Sequence, residues 1–479
     1  MRVVSAVFAA ALTVAALAAP ASSQPPVVSR IHDVQDAAHV SPLSGQDVAG
    51  VEGIVTVKRP GSLWMQDPNP DTDEATSEGI LVFGPSVDTL VDVGDHVRVR
   101  AAGSVETSGV FDPASDGIDF YESLEGMRVQ VDQALAVGPR NQFGEIPVVG
   151  DQGAHAGVHS VRGGLLIRPD DFNPERIILD DTLLATPVAD VGDSFTTAVV
   201  GVMDYSFGNF KLDVTTPLTR LDGALQRETT RAPSDQEIVV GTYNVESLDP
   251  GDGGAFARHA EQVVRNLRSP DLLAIEEIQD NDGATDSSVT DASVTWRLLI
   301  DAIRAAGGPD YQYRQIDPVD DQDGGEPGGN IRVGFLFRSD RGLRFVGRPG
   351  GDATTPTTVI DRPEGPRLSF SPGRVAPQDP AFADTRKSLA GEFRMRGTKV
   401  FVIANHLSSK GGDSPLFGRW QLPTRSSEQA RRAQAQVVND FVDELVAADP
   451  QANVIALGDL NDFEFPRRSS CSKGGCSPR

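Results

Sequence analysis

The order of apolar and polar positions divides the chain into three regions that follow a leader. The first region, residues 29–137, contains short β-type runs at 51–58, 79–83 and 95–100, separated by turn-forming residues. Few helical periods occur there, which predicts a small antiparallel barrel or sandwich. The second region, 147–221, is again rich in predicted strands. A polar linker at 226–236 follows it.

The third region changes to alternating strands and helices. Apolar runs predict strands at 238–243, 272–275, 331–337, 391–396, 400–404 and 454–457. Helical spacing occurs at 256–267 and 294–306. A capping box formed by Ser426 and Gln429 predicts a long helix that ends near Ala448. This alternation predicts an α/β domain.

The leader has the features of a secretory signal peptide. Arg2 precedes an apolar run, and small residues close it at Ala19-Pro20-Ala21. A membrane anchor is the alternative, but the run is short for a span and no basic stop-transfer segment follows. We therefore predict a signal peptide at 1–23 and a secreted protein, extracellular or periplasmic. The two cysteines, Cys471 and Cys476, leave the main body without disulfides.

The formal net charge of −25 restricts how this chain could bind a polyanion. Affinity for phosphates normally comes from Lys and Arg, so a local basic surface or bound divalent cations would be needed. Residues 404–433 carry a local excess of basic residues: Lys410, Arg419, Arg425, Arg431 and Arg432. This stretch is the candidate phosphate-contact surface. A solvated loop and helix face is the alternative interpretation.

Polar side chains follow the predicted strands of the third region. Asn244 ends the first strand, Glu277 the second, His406 a later one, and Asp459 and Asn461 the last. A single Asn or Asp at a strand end is usually a turn or cap residue. Five such positions in series, each presented by a rigid scaffold, favour a functional site. Strand alternation leaves open whether Glu276 replaces Glu277.

Four short motifs carry a family resemblance: Thr242-Tyr243-Asn244, Glu277-Ile278-Gln279, Asn405-His406-Leu407 and Gly458-Asp459-Leu460-Asn461. In this order they resemble the endonuclease/exonuclease/phosphatase (DNase I-like) superfamily, over about 237–465. The two β-rich modules ahead of them resemble the large secreted bacterial branch. The resemblance implies N-terminal all-β OB-fold-like modules followed by an α/β, four-layer DNase I-like β-sandwich.

The resemblance also implies roles for these residues. Glu277 would hold a divalent cation with Asn244 beside it, and Mg²⁺ or Mn²⁺ suits oxygen ligands of this kind. Asp459 would orient or deprotonate a water molecule, or help to hold the metal. Asn461 would donate its amide to the phosphate, and His406 would donate a proton or a hydrogen bond to a phosphate oxygen.

The expected activity is a metal-dependent phosphodiesterase acting on DNA, with RNA as a further substrate. The same scaffold supports phosphatases and phospholipid phosphodiesterases, which are the alternatives among enzymes. A catalytically dead extracellular binding protein is the alternative from another class. Metal-dependent turnover distinguishes it from the enzymes.

Two further features have alternative interpretations. Arg332, on the predicted strand at 331–337, is either a phosphate contact or an arginine on an exposed strand face. The acidic loop with Asp67, Asp71, Asp73 and Glu74 is either a Ca²⁺ site or a solvated turn. Its spacing does not match an EF-hand loop.

The sequence departs from the superfamily pattern after its last motif. The superfamily continues with further strands and a second catalytic histidine, but no histidine follows His406. Residues 466–479 lack a periodic apolar pattern and contain both cysteines. We interpret this tail as a frameshifted or prematurely ended coding region. The incomplete domain would then have impaired activity, and its missing strands would expose a sheet edge.

Overall fold

The structure is a computed structural model. The chain divides into two compact units, Met1–Gln226 with Ser414–Thr424, and Arg227–Asp413 with Arg425–Arg479. The predicted signal peptide apart from residues 2–3, the predicted tail at 466–479, Arg419 and Glu74 lie outside the described residues. The described residues are 2–3, 27–28, 30–38, 41–44, 47–73, 75–83, 87–89, 91–94, 96–102, 111, 117–154, 156–169, 172, 175–234, 236–418 and 423–463.

The first unit begins with a sheet in the order β1-β6-β3-β4-β5, with β2 paired to β3. Its elements are β1 (Arg2–Val3), β2 (Val27–Val28), α1 (Ile31–Gln35), β3 (Asp47–Arg59), β4 (Ser62–Gln66), β5 (Gly79–Phe83) and β6 (His96–Ala102). Apolar side chains of α1, β3 and β4, among them Ile31, Val51 and Leu63, form its core. Among the described residues no strand pair joins the two sheet edges, so a closed OB-like barrel stays a prediction.

An eight-stranded sheet completes the first unit, in the order β14-β11-β8-β9-β10-β13-β12-β7. The elements are α2 (Gly117–Ser123), β7 (Arg128–Val131), β8 (Leu135–Ala136), β9 (Ile146–Val149), β10 (Ile177–Asp180), β11 (Ser194–Phe195), β12 (Val199–Ser206), β13 (Asn209–Val214) and β14 (Arg220–Leu221). Strand β7 pairs with β12, and β8 pairs with β9. Both strands therefore belong to this sheet, although the sequence pattern assigns residues up to 137 to the first module.

The second unit contains two main sheets. The first has the order β15-β16-β18-β17 and the second the order β19-β23-β24-β25, with β22 paired to β23. The strands of the first sheet and the helices between them are β15 (Val240–Leu248), α3 (Gly253–Glu261), a π-helical turn (Gln262–Asn266), β16 (Leu272–Ile278), α4 (Ser293–Ala305), β17 (Tyr311–Arg314) and β18 (Arg332–Arg338). The remaining elements are β19 (Leu343–Phe345), β20 (Val359–Ile360), β21 (Arg367–Leu368), β22 (Gly373–Arg374), β23 (Leu389–Met395), β24 (Thr398–His406), α5 (Glu428–Ala448) and β25 (Val454–Asp459).

These two sheets form the middle layers of a sandwich. The core between them includes Phe335 from the first sheet and Phe393 and Val402 from the second. Trp296 and neighbouring apolar residues of α3 and α4 cover the outer face of the first sheet, and Phe441 of α5 lies in the core on the outer face of the second. The sandwich agrees with the DNase I-like architecture that the motifs imply. Its apolar strands are buried on both faces, which explains their continuous hydrophobic runs.

The start of α5 differs from the predicted capping box. Ser427 occupies the N-cap position, and the Ser426 hydroxyl donates to the carbonyl oxygen of Gly412 at 2.9 Å. The carboxylate of Asp413, in the preceding loop, accepts the Ser427 N–H at 2.7 Å instead. A side chain remote in sequence thus replaces the local cap. Across the described ranges, no helix combines the length and apolarity that a membrane crossing requires.

Candidate active site

The carboxyl ends of two parallel strand pairs bring four polar side chains together. Strands β15 and β16 run parallel in the first sheet, and β24 and β25 run parallel in the second. Their ends carry Asn244, Glu277, His406 and Asp459. In the register of β24 and β25, His406 lies directly opposite Asp459. The sandwich therefore brings residues that are far apart in sequence to one edge.

A backbone irregularity decides which of two adjacent glutamates faces this edge. The pairing of β16 shifts register between Ile275 and Ile278, and Glu277 has a φ of +64°. Such bulges redirect a side chain, and a positive φ in a non-glycine residue is uncommon. Glu276 is fully buried on the other side, where its carboxylate accepts the Thr242 hydroxyl at 2.7 Å. Glu277, and not Glu276, thus lies beside His406 and Asp459.

Burial changes the ionisation of Glu276. Desolvation raises its pKa to about 8, and the negative charge of Asp459 adds to the shift. The hydrogen bonds from Thr242 and from the backbone N–H of Tyr243 act in the opposite direction. Glu276 is therefore a neutral carboxylic acid over most of the physiological range. Its charge does not contribute to cation binding there.

Asn244 connects the two carboxylates of the edge. Its Nδ2 donates to Oε1 of Glu277 at 2.8 Å and to Oδ2 of Asp459 at 3.1 Å. Its Oδ1 accepts the backbone N–H of Glu246 at 2.8 Å. This second contact fixes the amide orientation, because only the nitrogen end can donate to carboxylates. One neutral amide therefore holds two acidic groups close together.

His406 is buried against these carboxylates. Its Nε2 lies 3.5 Å from Oε1 of Glu277 and 3.9 Å from Oδ2 of Asp459. Desolvation and the nearby positive charge of Arg386 lower its pKa to about 4, against the opposing effect of the two carboxylates. The ring is consequently neutral at pH 7. A neutral imidazole can bind a metal or donate a hydrogen bond, but it is not a proton donor in the free protein.

Arg386 is a site residue that the sequence motifs did not indicate. Its guanidinium is buried and donates to the backbone carbonyl of Leu407 at 2.7 Å. Its Nε has no hydrogen-bond partner. Burial lowers its pKa, whereas the charges of Glu277, Asp459 and Asp323 raise it. Arg386 precedes β23 in a loop without a recognisable motif, so local sequence carried no signal for it.

Asn461 lies next to the site but uses its amide within the protein. Its Nδ2 donates to the carbonyl of Leu407 at 3.1 Å, and its backbone N–H donates to Oδ1 of Asp459 at 2.9 Å. These bonds position the Asp459 carboxylate. The phosphate contact expected of the Asn461 amide would require this side chain to give up its present bond.

Arg332 does not occupy the position that either interpretation assigned to it. Its side chain is only 1% exposed. The guanidinium donates to Asp317 at 2.6 Å and to the carbonyl of Asn330 at 2.7 Å. A buried charge needs such partners. Arg332 therefore forms an internal ion pair, and the expectations of an exposed strand face and of a phosphate contact are both corrected.

The predicted basic surface is largely satisfied internally. Arg431 is buried, with Nε 3.3 Å from Oδ2 of Asp462. Arg425 is 5% exposed and lies 3.3 Å from Glu428. Lys410 is partly exposed, and its Nζ lies 5.1 Å from the ring centroid of Phe463. Of the described members of this set, Arg425 and Arg431 are therefore structural, whereas Lys410 and Arg432 retain access to solvent, and Arg432 pairs with Glu428 at 2.5 Å.

The arrangement of donor atoms fits a divalent cation. Glu277, His406 and Asp459 each offer one ligand atom, and these atoms lie within 4.8 Å of one another. The Nδ1 of His406 is buried without a partner. Two carboxylates with one imidazole suit Mn²⁺ well, and the two carboxylates with water suit Mg²⁺. Asn244 turns its nitrogen, not its oxygen, toward the carboxylates, so its expected role as a metal ligand is corrected to that of a positioning residue. In the described part of this unit, the other histidine, His259, lies on α3 beside the Tyr243 hydroxyl at 2.8 Å.

A family model matches this part of the chain. Residues 360–475 match the "Endonuclease/Exonuclease/phosphatase family". The match agrees with the superfamily that the motifs predicted, and it spans the last two of them, Asn405-His406-Leu407 and Gly458-Asp459-Leu460-Asn461. Residues 86–222 match a "Domain of unknown function (DUF8508)". This second match assigns no chemistry to the first unit, and no curated protein matches the chain.

Several solved structures align with part of the chain at low identity. Humanized D. rerio TDP2 with 14 mutations is 18% identical, with 48% of this chain and 64% of that chain covered and a TM-score of 0.26. D. rerio TDP2 complexed with single strand DNA product is 18% identical, with 48% and 62% covered and a TM-score of 0.27. An endonuclease/exonuclease/phosphatase family protein from Bacteroides thetaiotaomicron is 15% identical, with 47% and 63% covered and a TM-score of 0.27. The chain thus spans less than two thirds of these relatives, and the identification rests on the family match.

Proposed function

We propose that this protein is a secreted, Mg²⁺- or Mn²⁺-dependent phosphodiesterase that hydrolyses nucleic acid, with DNA as its preferred substrate. One observation carries the proposal. Four strands of two sheets bring Asn244, Glu277, His406 and Asp459 together at one edge. Asn244 donates to the two carboxylates at 2.8 and 3.1 Å, and the His406 Nε2 lies 3.5 and 3.9 Å from them. The family match, which spans His406 and Asp459, supports a hydrolase.

Glu277 and Asp459 would hold the cation, with His406 beside it. When bound, the cation would polarise the scissile phosphate and stabilise the charge that develops on the leaving oxygen. Asn244 keeps the two carboxylates in place through its Nδ2. This preorganisation matters because groups that are already oriented need no rearrangement as charge develops.

Asp459 is the candidate for orienting or deprotonating the attacking water. Its Oδ1 accepts the Asn461 N–H and its Oδ2 the Asn244 amide, so its orientation is fixed. His406 is neutral at pH 7 and would donate a hydrogen bond to a phosphate oxygen. Arg386 contributes a buried positive charge near the place where an anionic phosphate would bind.

Nucleic acid is preferred over other phosphate esters for two reasons. The motif order matches the nuclease-containing superfamily, and the modules in front of it resemble those of secreted nucleases. The net charge of −25 makes cation-mediated binding of phosphate more important than basic side chains. The predicted leader at 1–23 supports secretion.

A substrate panel tests this proposal. The mature chain is incubated with duplex DNA, single-stranded DNA, RNA, a phosphomonoester and a phospholipid, in Mg²⁺, in Mn²⁺ and in EDTA. Metal-dependent cleavage of DNA faster than of the other substrates is the expected result. Faster release of phosphate from the monoester, or cleavage of the phospholipid alone, would assign a different phosphoesterase. Binding of DNA by a folded protein without any turnover would instead indicate a binding protein.

A further inference from the structure

A second cluster of metal-ligating side chains lies in the first unit. It comprises His32 on α1, Asp71 in the loop after β4, and Glu78 next to β5. The His32 Nδ1 is 3.5 Å from Oδ2 of Asp71 and 3.3 Å from Oε1 of Glu78. One ligand atom from each residue lies within 4.8 Å of the other two. This cluster is separate from the catalytic motifs, and neither family match covers it.

Two buried atoms of the cluster lack a hydrogen-bond partner. Glu78 is 7% exposed, and its Oε2 has no donor. The buried Nδ1 of His32 also has no hydrogen-bond partner. A buried carboxylate oxygen without a partner is costly. A cation between His32, Asp71 and Glu78 would satisfy both atoms.

A third carboxylate, that of Asp33, lies near the other ring nitrogen of His32. The Nε2 of His32 lies 3.8 Å from Oδ1 of Asp33, while Nδ1 faces the cluster. Asp33 itself is fixed, because its Oδ2 accepts the backbone N–H of Arg30 at 2.8 Å. Histidine ligands of metals commonly donate the N–H of the other ring nitrogen to a carboxylate, and the 3.8 Å separation here exceeds hydrogen-bond distance. Asp33 therefore lies close to His32 without fixing its tautomer, and the unpaired Nδ1 is the atom of His32 that indicates a ligand.

Two other described acidic residues of this loop, Asp67 and Asp73, have other partners. Asp67 binds Arg30, whose Nε donates to it at 3.0 Å, and that pair balances its own charge. Asp73 accepts the backbone N–H of Ala75 at 3.0 Å in a local turn. The sequence offered Asp67 as one ligand of a calcium site, but in the structure Asp67 is bound to Arg30 instead. The structure substitutes His32 and Glu78, which the sequence did not connect with this loop.

The donor set indicates the class of cation. Imidazole is a poor ligand for Ca²⁺ and Mg²⁺ but a good one for Zn²⁺ and other first-row transition metals. Three protein ligands leave one position of a tetrahedral ion open. A cleft of about 430 Å³, lined by Asp71, Glu78 and residues of α2, including Phe120, reaches the carboxylates from outside. A water molecule or a small anionic ligand can therefore complete the coordination.

We propose that His32, Asp71 and Glu78 form a Zn²⁺-class transition-metal site in the first unit. The site is independent of the proposed phosphodiesterase activity. It links α1 to the loop and strand that follow β4, and bound metal would therefore stabilise this unit against unfolding.

Zn²⁺ titration of the full mature chain tests the proposal. The parent chain carries Glu277→Gln and Asp459→Asn, so that the catalytic cluster does not contribute to binding. Isothermal titration calorimetry with Zn²⁺ gives the stoichiometry, and Co²⁺ absorption reports the geometry. We expect one Zn²⁺ per chain, a tetrahedral Co²⁺ spectrum and a higher melting temperature with Zn²⁺ but not with Ca²⁺.

A matched pair of variants in the same loop provides the control. Asp71→Asn removes a ligand at a partly exposed position and should weaken Zn²⁺ binding by about 100-fold or more, whereas Asp73→Asn should leave it unchanged. Failure of the parent to bind Zn²⁺, or equal binding by the Asp71→Asn and Asp73→Asn chains, overturns the proposal. Both variants retain the hydrophobic core, and circular dichroism before titration verifies that each is folded.

Discussion

The neutral carboxylic acid at Glu276 makes the stability of the second unit dependent on pH. Glu276 is fully buried, and its pKa in the folded protein is about 8, against an ordinary value of 4.5. Folding therefore favours the protonated form. The contribution of this group to stability is fully present below about pH 4.5 and is lost as the pH rises towards 8.

The size of the effect follows from the shift of the pKa. Each pH unit between the unfolded and folded pKa values costs about 1.4 kcal/mol, so roughly 3 kcal/mol is lost by pH 7 and about 5 kcal/mol above pH 8. Glu276→Gln keeps the side chain neutral at every pH. Its amide oxygen can accept the Tyr243 N–H, and its Nε2 can donate to the Thr242 hydroxyl oxygen, which now donates to Glu276.

Hydrogen exchange of the amides of β15 and β16 measures this effect in the second unit. The free energy of opening, corrected for the intrinsic exchange rate, is followed from pH 4.5 to pH 9 in EDTA. The wild-type value should fall over this range, and the Glu276→Gln value should fall by several kcal/mol less. Glu261→Gln, at an exposed position of α3, should parallel the wild type. Parallel curves for Glu276→Gln and the wild type would refute the assignment of a neutral Glu276.

Three further predictions concern single contacts. Asp413→Ala should lower the stability of the second unit by about 1–2 kcal/mol in urea denaturation, because it removes the cap of α5; an unchanged midpoint would contradict this role. Gly458→Ala should destabilise the protein by more than about 2 kcal/mol, because a Cβ there would clash with the backbone carbonyl oxygen of Asn405 in β24 and φ is +142°. Gly397→Ala, where φ is also positive but no atom lies within 4 Å, should cost less, and equal melting temperatures would count against the clash. Arg386→Gln should raise the pKa of His406 above its value of about 4, because it removes a repelling positive charge. Histidine NMR titration in EDTA measures this pKa, and an unshifted or lower value would contradict the effect of the Arg386 charge.

The arrangement of the second unit was accessible from sequence because its strands are strongly apolar. Continuous hydrophobic runs such as that of β16 have few explanations other than a buried strand. The polar residues that end these runs lie at the same edge of the sandwich for a topological reason, since parallel strands end together. Asn244, Glu277, His406 and Asp459 can therefore be grouped from the amino-acid sequence alone.

Other parts of the site depend on contacts that local sequence does not encode. A bulge in β16 decides between Glu276 and Glu277, and strand alternation alone cannot place a bulge. Arg386 joins the site through a loop. Arg332 was expected either to contact phosphate or to lie on an exposed strand face, but it is buried in an ion pair with Asp317. Each of these features depends on backbone geometry or on contacts between distant parts of the chain.

The α5 cap and the His32 cluster illustrate the same principle. Ser426 and Gln429 satisfy a capping pattern, yet Asp413 reaches the N-cap from another segment and replaces it. The acidic loop after β4 contains several carboxylates of equal appearance in the sequence. In the folded chain Asp71 lies 3.5 Å from Nδ1 of His32, a residue of α1 nearly forty positions earlier in the sequence. Sequence spacing could not predict that pairing.

The most direct test of the central claim compares two adjacent glutamates in a plasmid nicking assay. Supercoiled plasmid is incubated with wild-type, Glu277→Gln and Glu276→Gln chains in Mg²⁺ or Mn²⁺ at pH 7, with EDTA as the metal-free reference. We predict that nicking requires metal, falls by about 100-fold or more in Glu277→Gln, and persists in Glu276→Gln, whose amide resembles the neutral acid of the wild type. Nicking in EDTA, or loss of activity in Glu276→Gln with retention in Glu277→Gln, would contradict the account.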